Sequence, residues 1–233
     1  IVGNVYKGKV DNVVSGMKAA FVNIGLDKKG FLHVGESLVD GGRLVSGKEP
    51  TPINLSPGDV IMCQVVKDEF GTKGARLTTE ISFAGYFLVF MPTTSFVGIS
   101  RKIKSEERRA YLEALIKSVC PNNTGFILRS AADKASDEEI KAEASALFEL
   151  WQKVQNKYHS SSTPALVFQE AELLERAVRD NLSTGFDRVI VNDKEVAEHL
   201  SKGVNDVKVE VYDGKRNIFR HYGIDGQINA LKD

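Results

Sequence analysis

GNVYKGKVDNVVSGMKAAFVNIGLDKKGFLHV, residues 3–34, carries the pattern that decides the fold. Three short stretches rich in β-branched and aromatic residues, GNVYKGKV, MKAAFVNIG and GFLHV, are separated by the turn signals Val14-Ser15-Gly16 and Asp27-Lys28-Lys29-Gly30. In the first stretch Val5, Gly8 and Val10 read as one apolar face and Tyr6, Lys7 and Lys9 as a polar or amphipathic one. The strand is therefore expected to be half buried, with its lysine-bearing face available. Phe21 and Phe31 fall on the second and third strands. Taken alone, two such phenylalanines read first as core side chains. On the outer face of a small barrel beside Lys7 and Lys9, the same rings suit single-stranded nucleic acid, because every base has a π-face and every linkage a negative charge.

Working outward, VIMCQVV and GARLTT complete five short strands by residue 80, which predicts a small barrel. Phe70-Gly71-Thr72-Lys73-Gly74 is the turn between the last two. Gly35 to Gly58, with Pro50, Pro52 and Pro57, reads as a long surface loop between strands three and four. In a five-stranded OB barrel, loops of this kind flank the oligonucleotide face.

The texture then changes. Ile81 to Phe90 is continuously apolar with Gly85 inside it and reads as one buried strand. Ser105 caps a helix running to about Val119, whose apolar stripe is Tyr111, Leu112, Leu115, Ile116 and Val119, and Pro121-Asn122-Asn123 ends it. Thr124 to Leu128 reads as a strand that delivers Arg129-Ser130 to its tip. Ser136 and Glu139 form a capping box opening the longest helix, to about His159, with Ile140, Leu147, Trp151, Val154 and Tyr158 on one stripe and Trp151 in the core. A short strand at Ala165 to Phe168 is followed by a helix through Leu173, Leu174, Ala177, Val178 and Leu182, ending near Ser183-Thr184-Gly185. Strand (Arg188 to Val191), helix (Lys194 to Lys202), strand (Val207 to Tyr212) and a helix from about Ile224 form a closing α/β unit.

At 233 residues and 42% hydrophobic content the chain can bury a sizeable core. Its 31 basic and 31 acidic residues balance, but residues 81–132 hold seven basic and three acidic ones. That local excess can attract phosphate without making the chain a nonspecific polycation. Cys63 and Cys120 lack a CxxC spacing and read as free thiols, in keeping with a reducing cytosol. There is no run of 18 apolar residues and no signal-peptide pattern, and the start at Ile1-Val2-Gly3 reads as the interior of a longer protein. His33, His159, His199 and His221 lack metal-ligand spacing, and Asp187, Asp193, Asp206 and Asp213 are scattered over strand ends and turns, so no metal site is expected. A GxxxxGKS loop is absent, which argues against a nucleotide-driven motor.

Phosphate recognition is the chemistry the residues support best. Arg129 offers a bidentate fork and Ser130 a hydroxyl, a pair that suits a terminal phosphate. The run Ser100-Arg101-Lys102-Ile103-Lys104, preceded by Gly98, lies in the same basic segment.

The order GNVYKGKV, AAFVNIG, GFLHV, KGARLTTEISFAGYFLVFMP, GISRKI, GFILRSA and FRHYGIDGQI resembles the ribonuclease E/G family, bacterial single-strand endoribonucleases of messenger decay and ribosomal RNA processing. The resemblance spans nearly the whole chain. It implies an α+β fold: a five-stranded OB/S1 barrel over residues 1–80, a 5′-sensor region with helices over 81–184, and a partial RNase H-like α/β subdomain over 185–233. It implies RNA contacts by Phe21 and Phe31, which would stack on bases, and by Lys73, which would neutralise phosphate. It also implies a pocket for the 5′-monophosphate formed by Arg129 and Ser130 and lined by Gly85, Val89 and Arg101. Ser130 stands where members commonly carry Thr, and the hydroxyl is retained. The family's cleavage resembles metal-assisted hydrolysis, with aspartates holding Mg²⁺ on a downstream subdomain. The chain stops at Asp233 before that motif, so no catalytic residue and no cofactor are expected here, and the piece alone is expected to be inactive. The implied partner is single-stranded RNA, preferably 5′-monophosphorylated, in a cytoplasmic protein whose parent is a homo-oligomer. The family's dimer contacts lie downstream, so this piece is compatible with a monomer. The other reading left open is a non-enzymatic S1-domain RNA-binding adaptor, since OB barrels serve many functions.

Overall fold

A computed structural model describes residues 1–14, 16, 18–33, 55–120, 124–171, 177–178, 187–203 and 207–231. Most of the long loop after strand three, the Pro121-Asn122-Asn123 stop and most of the helix through Leu173 and Leu182 lie outside them. The described residues fall into two units, Ile1–Glu170 and Ala171–Asp233.

The first unit opens with strands β1 (Val5–Val14), β2 (Ala19–Asn23), β3 (Gly30–His33), β4 (Val60–Lys67) and β5 (Arg76–Thr78). They pair in the order β1-β2-β3-β5-β4, and β4 returns to β1, so the sheet closes into a five-stranded OB/S1-type barrel. Closure depends on the length of β1. Its Val5–Lys9 half pairs with β4, and its Lys9–Val14 half pairs with β2, across a register shift. Tyr6, Val10, Val22, Ile24, Leu32, Cys63, Val65 and Leu77 fill the interior.

This corrects the expected facing of the first strand. Strand alternation puts Tyr6, Gly8 and Val10 together, and Tyr6 is buried in the barrel core. Val5 points the other way and is fully buried in a second core. Lys7 is on the outer side but not available. Its ammonium donates to the Tyr158 and Ser161 carbonyls, both at 2.9 Å, and lies 4.9 Å from the Tyr158 ring centre. It neutralises the carbonyl end of a helix. Lys9 is exposed.

The second core lies between a four-stranded sheet and two helices. The sheet runs β6 (Phe83–Ala84), β7 (Leu88–Met91), β9 (Gly125–Leu128), β8 (Val97–Ile99), and the helices are α1 (Glu106–Val119) and α2 (Asp137–Ser160). Phe83, Leu88, Phe90, Leu112, Ile116, Phe126, Leu128 and Ile140 are among its fully buried members. The expected single strand at Ile81–Phe90 is therefore two strands with a turn at Gly85–Phe87, for a reason given below. Ser105 caps α1, and Ser136 with Glu139 forms the capping box of α2, as their spacing predicts. The backbone N–H of Ser136 holds the Glu139 carboxyl below its usual range. Trp151 packs against the second core, 6.1 Å from the Phe83 ring. Tyr111 leaves the expected apolar stripe: it is exposed, and its hydroxyl donates to Asp137 at 2.7 Å, a bond that raises its pKa.

Two polar devices join the barrel to this layer. Strand β10 (Ala165–Phe168), which follows α2, pairs antiparallel with Val5–Lys7 of β1. Buried Gln64 donates to the Gly3 and Ser82 carbonyls at 2.8 and 2.9 Å and accepts the Ser82 N–H at 2.9 Å, so its amide is satisfied by both segments.

In the second unit, β11 (Arg188–Val191) and β12 (Lys208–Val211) are parallel, with α3 (Lys194–Gly203) as the crossover between them. Val178, Val191, Ala197 and Leu200 form its core, and Asp193 caps α3 by accepting the Val196 N–H at 3.0 Å. Two short helices, α4 (Ile218–His221) and α5 (Ile224–Ala230), follow. The molecule is thus α+β. Among the described residues no helix is long and apolar enough to cross a membrane.

Candidate nucleic-acid interface

Cross-strand register assembles the first candidate surface. Phe21 of β2 lies opposite Phe31 of β3, Phe31 opposite Arg76 of β5, and Arg76 opposite Lys67 of β4, while Asn12 of β1 lies opposite Phe21 on its other side. One row therefore crosses all five strands. The neighbours Ala20, Val22, Leu32 and Leu77 point into the barrel, so alternation turns Phe21, Phe31 and Arg76 outward, and register shifts after Val10 and after Val65 bring the exposed Asn12 and Lys67 opposite them. The two rings are half-buried, stand outside the barrel core, and meet edge to face with centres 5.8 Å apart. Arg76 and Lys67 were not singled out from sequence. The signal for them is register, which a single strand does not display. Lys73 is not in the row; it is exposed on the β4–β5 hairpin, paired through the backbone with Phe70.

Topology assembles the second candidate surface at one end of the four-stranded sheet. β8 and β9 are parallel, so both deliver their C-terminal ends to the same edge, where the Ser100 N–H donates to the Leu128 carbonyl at 2.8 Å. Arg101 and Arg129 each follow one residue beyond that bond. β7 runs antiparallel to β9 with Leu88 opposite Leu128, so the turn Gly85–Phe87 arrives at the same edge. The Arg129 N–H donates to the Phe87 carbonyl and its Nη1 to the Gly85 carbonyl, both at 2.7 Å. Ser130 opens a 3-10 turn through Asp133. Val89 is paired with Ile127, half-buried on the sheet face away from the core. Gly85, Val89, Arg101, Arg129 and Ser130 are thus gathered from three separate segments, with Arg101 exposed and Arg129 and Ser130 half-buried.

Sequence reading missed the residue that builds this edge. Glu143 of α2 accepts the backbone N–H groups of Tyr86, Phe87 and Leu88 at 2.5, 2.8 and 2.8 Å. Three successive donors converging on one carboxylate hold a turn where a continuous strand was expected. Burial pushes the Glu143 carboxyl above its usual pKa, and the three N–H groups and the Arg129 charge pull it back only partly.

The basic excess of residues 81–132 divides into two uses. Arg108 donates to the carbonyls of Ala132, Asp133 and Ala135, and Arg109 to those of Ser100 and Ile103. These neighbouring guanidiniums of α1 tie down the two turns that carry Ser130 and Arg101. Lys117 pairs with Glu113. Arg101, Lys102 and Lys104 are exposed. Among the described residues no three His, Cys, Asp or Glu side chains gather where a metal ion would sit.

A model of the ribonuclease E/G family matches residues 82–233. Ribonuclease G of Haemophilus influenzae is 38% identical over all of this chain and half of that protein's length. Ribonuclease G of Escherichia coli K12 is 36% identical over 98% of the chain and 49% of its own length, and ribonuclease E of the same strain is 32% identical over 97% of the chain and 22% of its own length. The chain spans about half the length of the ribonuclease G relatives it matches. With a continuous family match across both units and full-length similarity through the barrel, this chain belongs to the ribonuclease E/G family.

Proposed function

We propose that this chain carries the RNA-binding and 5′-monophosphate-sensing functions of an endoribonuclease of the E/G type that cleaves single-stranded RNA. The observation that carries the reading is the outward row in which two aromatic rings stand in register with Arg76 and Lys67. Rings take bases by stacking and the cations take phosphates, a combination that binds single strands without needing a particular sequence. Lys73 contributes a further phosphate contact. At the sheet end, Arg129 and Ser130 receive the terminal phosphate, with Gly85, Val89 and Arg101 around it. Cleavage, with Mg²⁺ held by aspartates, belongs to residues other than these.

The test is a titration of matched 5′-phosphorylated and 5′-hydroxyl oligonucleotides at several salt concentrations. The expected result is tighter binding of the phosphorylated end and an affinity that falls steeply with salt. Arg129→Ala is expected to remove the end preference and leave general RNA binding mostly intact. Equal preference before and after would overturn the sensor assignment. RNA binding with no end preference, together with no Mg²⁺-dependent cleavage by the full-length protein, would favour the adaptor reading.

A further inference from the structure

We propose that the tip of the β4–β5 hairpin is a further stacking platform for single-stranded RNA, with the Phe70 ring taking a base and the Lys73 ammonium a neighbouring phosphate. The inference rests on the barrel being an RNA-binding module and extends its surface to a loop outside the cross-strand row. Phe70 is 87% exposed. A single exposed apolar side chain is ordinary in itself, and four features of this one are not.

The ring is held. The Phe70 N–H donates to the Lys73 carbonyl at 3.1 Å and the Lys73 N–H to the Phe70 carbonyl at 3.0 Å. Residues that exchange both bonds face each other directly, with Cα atoms about 5.5 Å apart and side chains on one face of the ribbon. The hairpin is also anchored from outside. Lys28 Nζ donates to the Gly71 carbonyl at 2.8 Å, and the Gly74 backbone is pressed against the Lys29 carbonyl so closely that a Cβ would lie 1.9 Å from it. The backbone that carries the ring therefore has little conformational entropy left to lose on binding.

The charge around it is positive where it is free. Glu69 is turned to Lys28 at 3.5 Å, Asp68 accepts from the Ile1 amino group at 2.8 Å, and Lys29 pairs with Asp11. Among the described residues the ammonium groups of Lys73 and Lys67 have no ion pair or hydrogen bond. The ring's sequence neighbours, Lys67, Asp68, Glu69, Gly71, Thr72 and Lys73, add no second apolar side chain with which it could form the apolar centre of a protein-docking patch. A flat, isolated ring beside an unpaired cation fits a nucleotide instead. The position agrees. Two residues separate Lys73 from Arg76, whose register partner is Phe31, so at about 3.3 Å per residue the tip is roughly 10 Å along the chain from the row. The loop joining strands four and five of an OB barrel is one that binds oligonucleotides.

The test uses a 3′-labelled oligouridine with a 5′-hydroxyl end, which leaves the phosphate-sensing edge out of the measurement. Phe70→Ala is expected to bind about tenfold more weakly with an unchanged salt slope. Phe70→Trp is expected to keep wild-type affinity, and its added fluorescence over the Trp151 background to be quenched by the RNA. Lys73→Ala is expected to make the slope of log K against log salt shallower by about 0.7. Wild-type affinity in Phe70→Ala, or an unquenched Phe70→Trp at saturating RNA, would overturn the platform. Weakened binding in Phe21→Ala and Phe31→Ala would then leave the RNA-binding barrel standing, whereas unchanged affinity in all three alanine variants would remove both. A change in self-association by sedimentation with RNA affinity unchanged would assign the ring to a contact between copies and overturn the proposal.

Discussion

A Cβ at Gly85 would lie 2.5 Å from the carboxyl carbon of Glu143, so the space beside the turn is already filled by a side chain from 58 residues away. The glycine is required by the carboxylate, and the carboxylate by the three N–H groups it holds. Gly85→Ala must move Glu143 off those donors, and Glu143→Ala leaves the same donors without it. Each is expected to destabilise the protein by about 2–3 kcal/mol and to weaken the proposed 5′-phosphate preference, because the Gly85 carbonyl fixes Arg129. Since both act by one loss, the double variant is expected to cost little more than either single one in urea unfolding. Additive losses would contradict the shared cause.

The same carboxyl gives stability a pH dependence of known sign. Burial raises the Glu143 pKa in the fold above its unfolded value. Its contribution is therefore fully present below the unfolded value and is lost as pH rises through the folded one. Glu143→Gln cannot lose that proton. The stability of the wild type relative to Glu143→Gln is expected to decline from about pH 4 towards neutrality, measured by denaturant midpoints at each pH; a gap that widens over that range would refute the assignment.

Arg108 reaches three carbonyls with one planar fork: Ala132 at 3.1 Å, Asp133 at 3.0 Å and Ala135 at 2.9 Å. A lysine ammonium cannot reproduce that span. Arg108→Lys is expected to destabilise by about 1–2 kcal/mol and to speed hydrogen exchange of the Ala132 N–H, which closes onto the Arg129 carbonyl at 3.0 Å. Unchanged exchange there would separate Arg108 from the edge that carries Arg129 and Ser130.

The two thiols are expected to differ sharply in reactivity. Cys63 is fully buried in the barrel, and desolvation pushes its pKa up to about 12, so its thiolate is scarce at neutral pH. Cys120 is partly exposed at the end of α1. A thiol reagent should modify one equivalent in the native protein and the second only on unfolding. Two equivalents at equal rates would mean that the barrel opens.

Much of the fold was legible because its signals are local. The strand runs of the barrel, the Ser105 cap, the Ser136–Glu139 capping box and the strand ending at Arg129 all follow from residues within three or four positions of one another. The candidate site was named as a set of residue types, Phe21, Phe31, Lys73, Arg101, Arg129 and Ser130 among them, from sequence and resemblance. What each one faces was not. Lys7 carries the same charge as Lys9, yet one is bound to the end of α2 and the other is exposed, a difference made by a helix about 150 residues downstream.

Sequence alone thus determined the elements, their order and the chemical types that reach the surface, because periodicity, caps and turns are enforced by backbone geometry over a few residues. Only the tertiary structure decided that Val5 belongs to the second core, that Ile81–Phe90 breaks into two strands, and that Arg76 and Lys67 join the ring row. Each of those depends on which distant segment buries a face or satisfies an N–H group. That choice is made by closure of the barrel and docking of α2, and no local pattern encodes it.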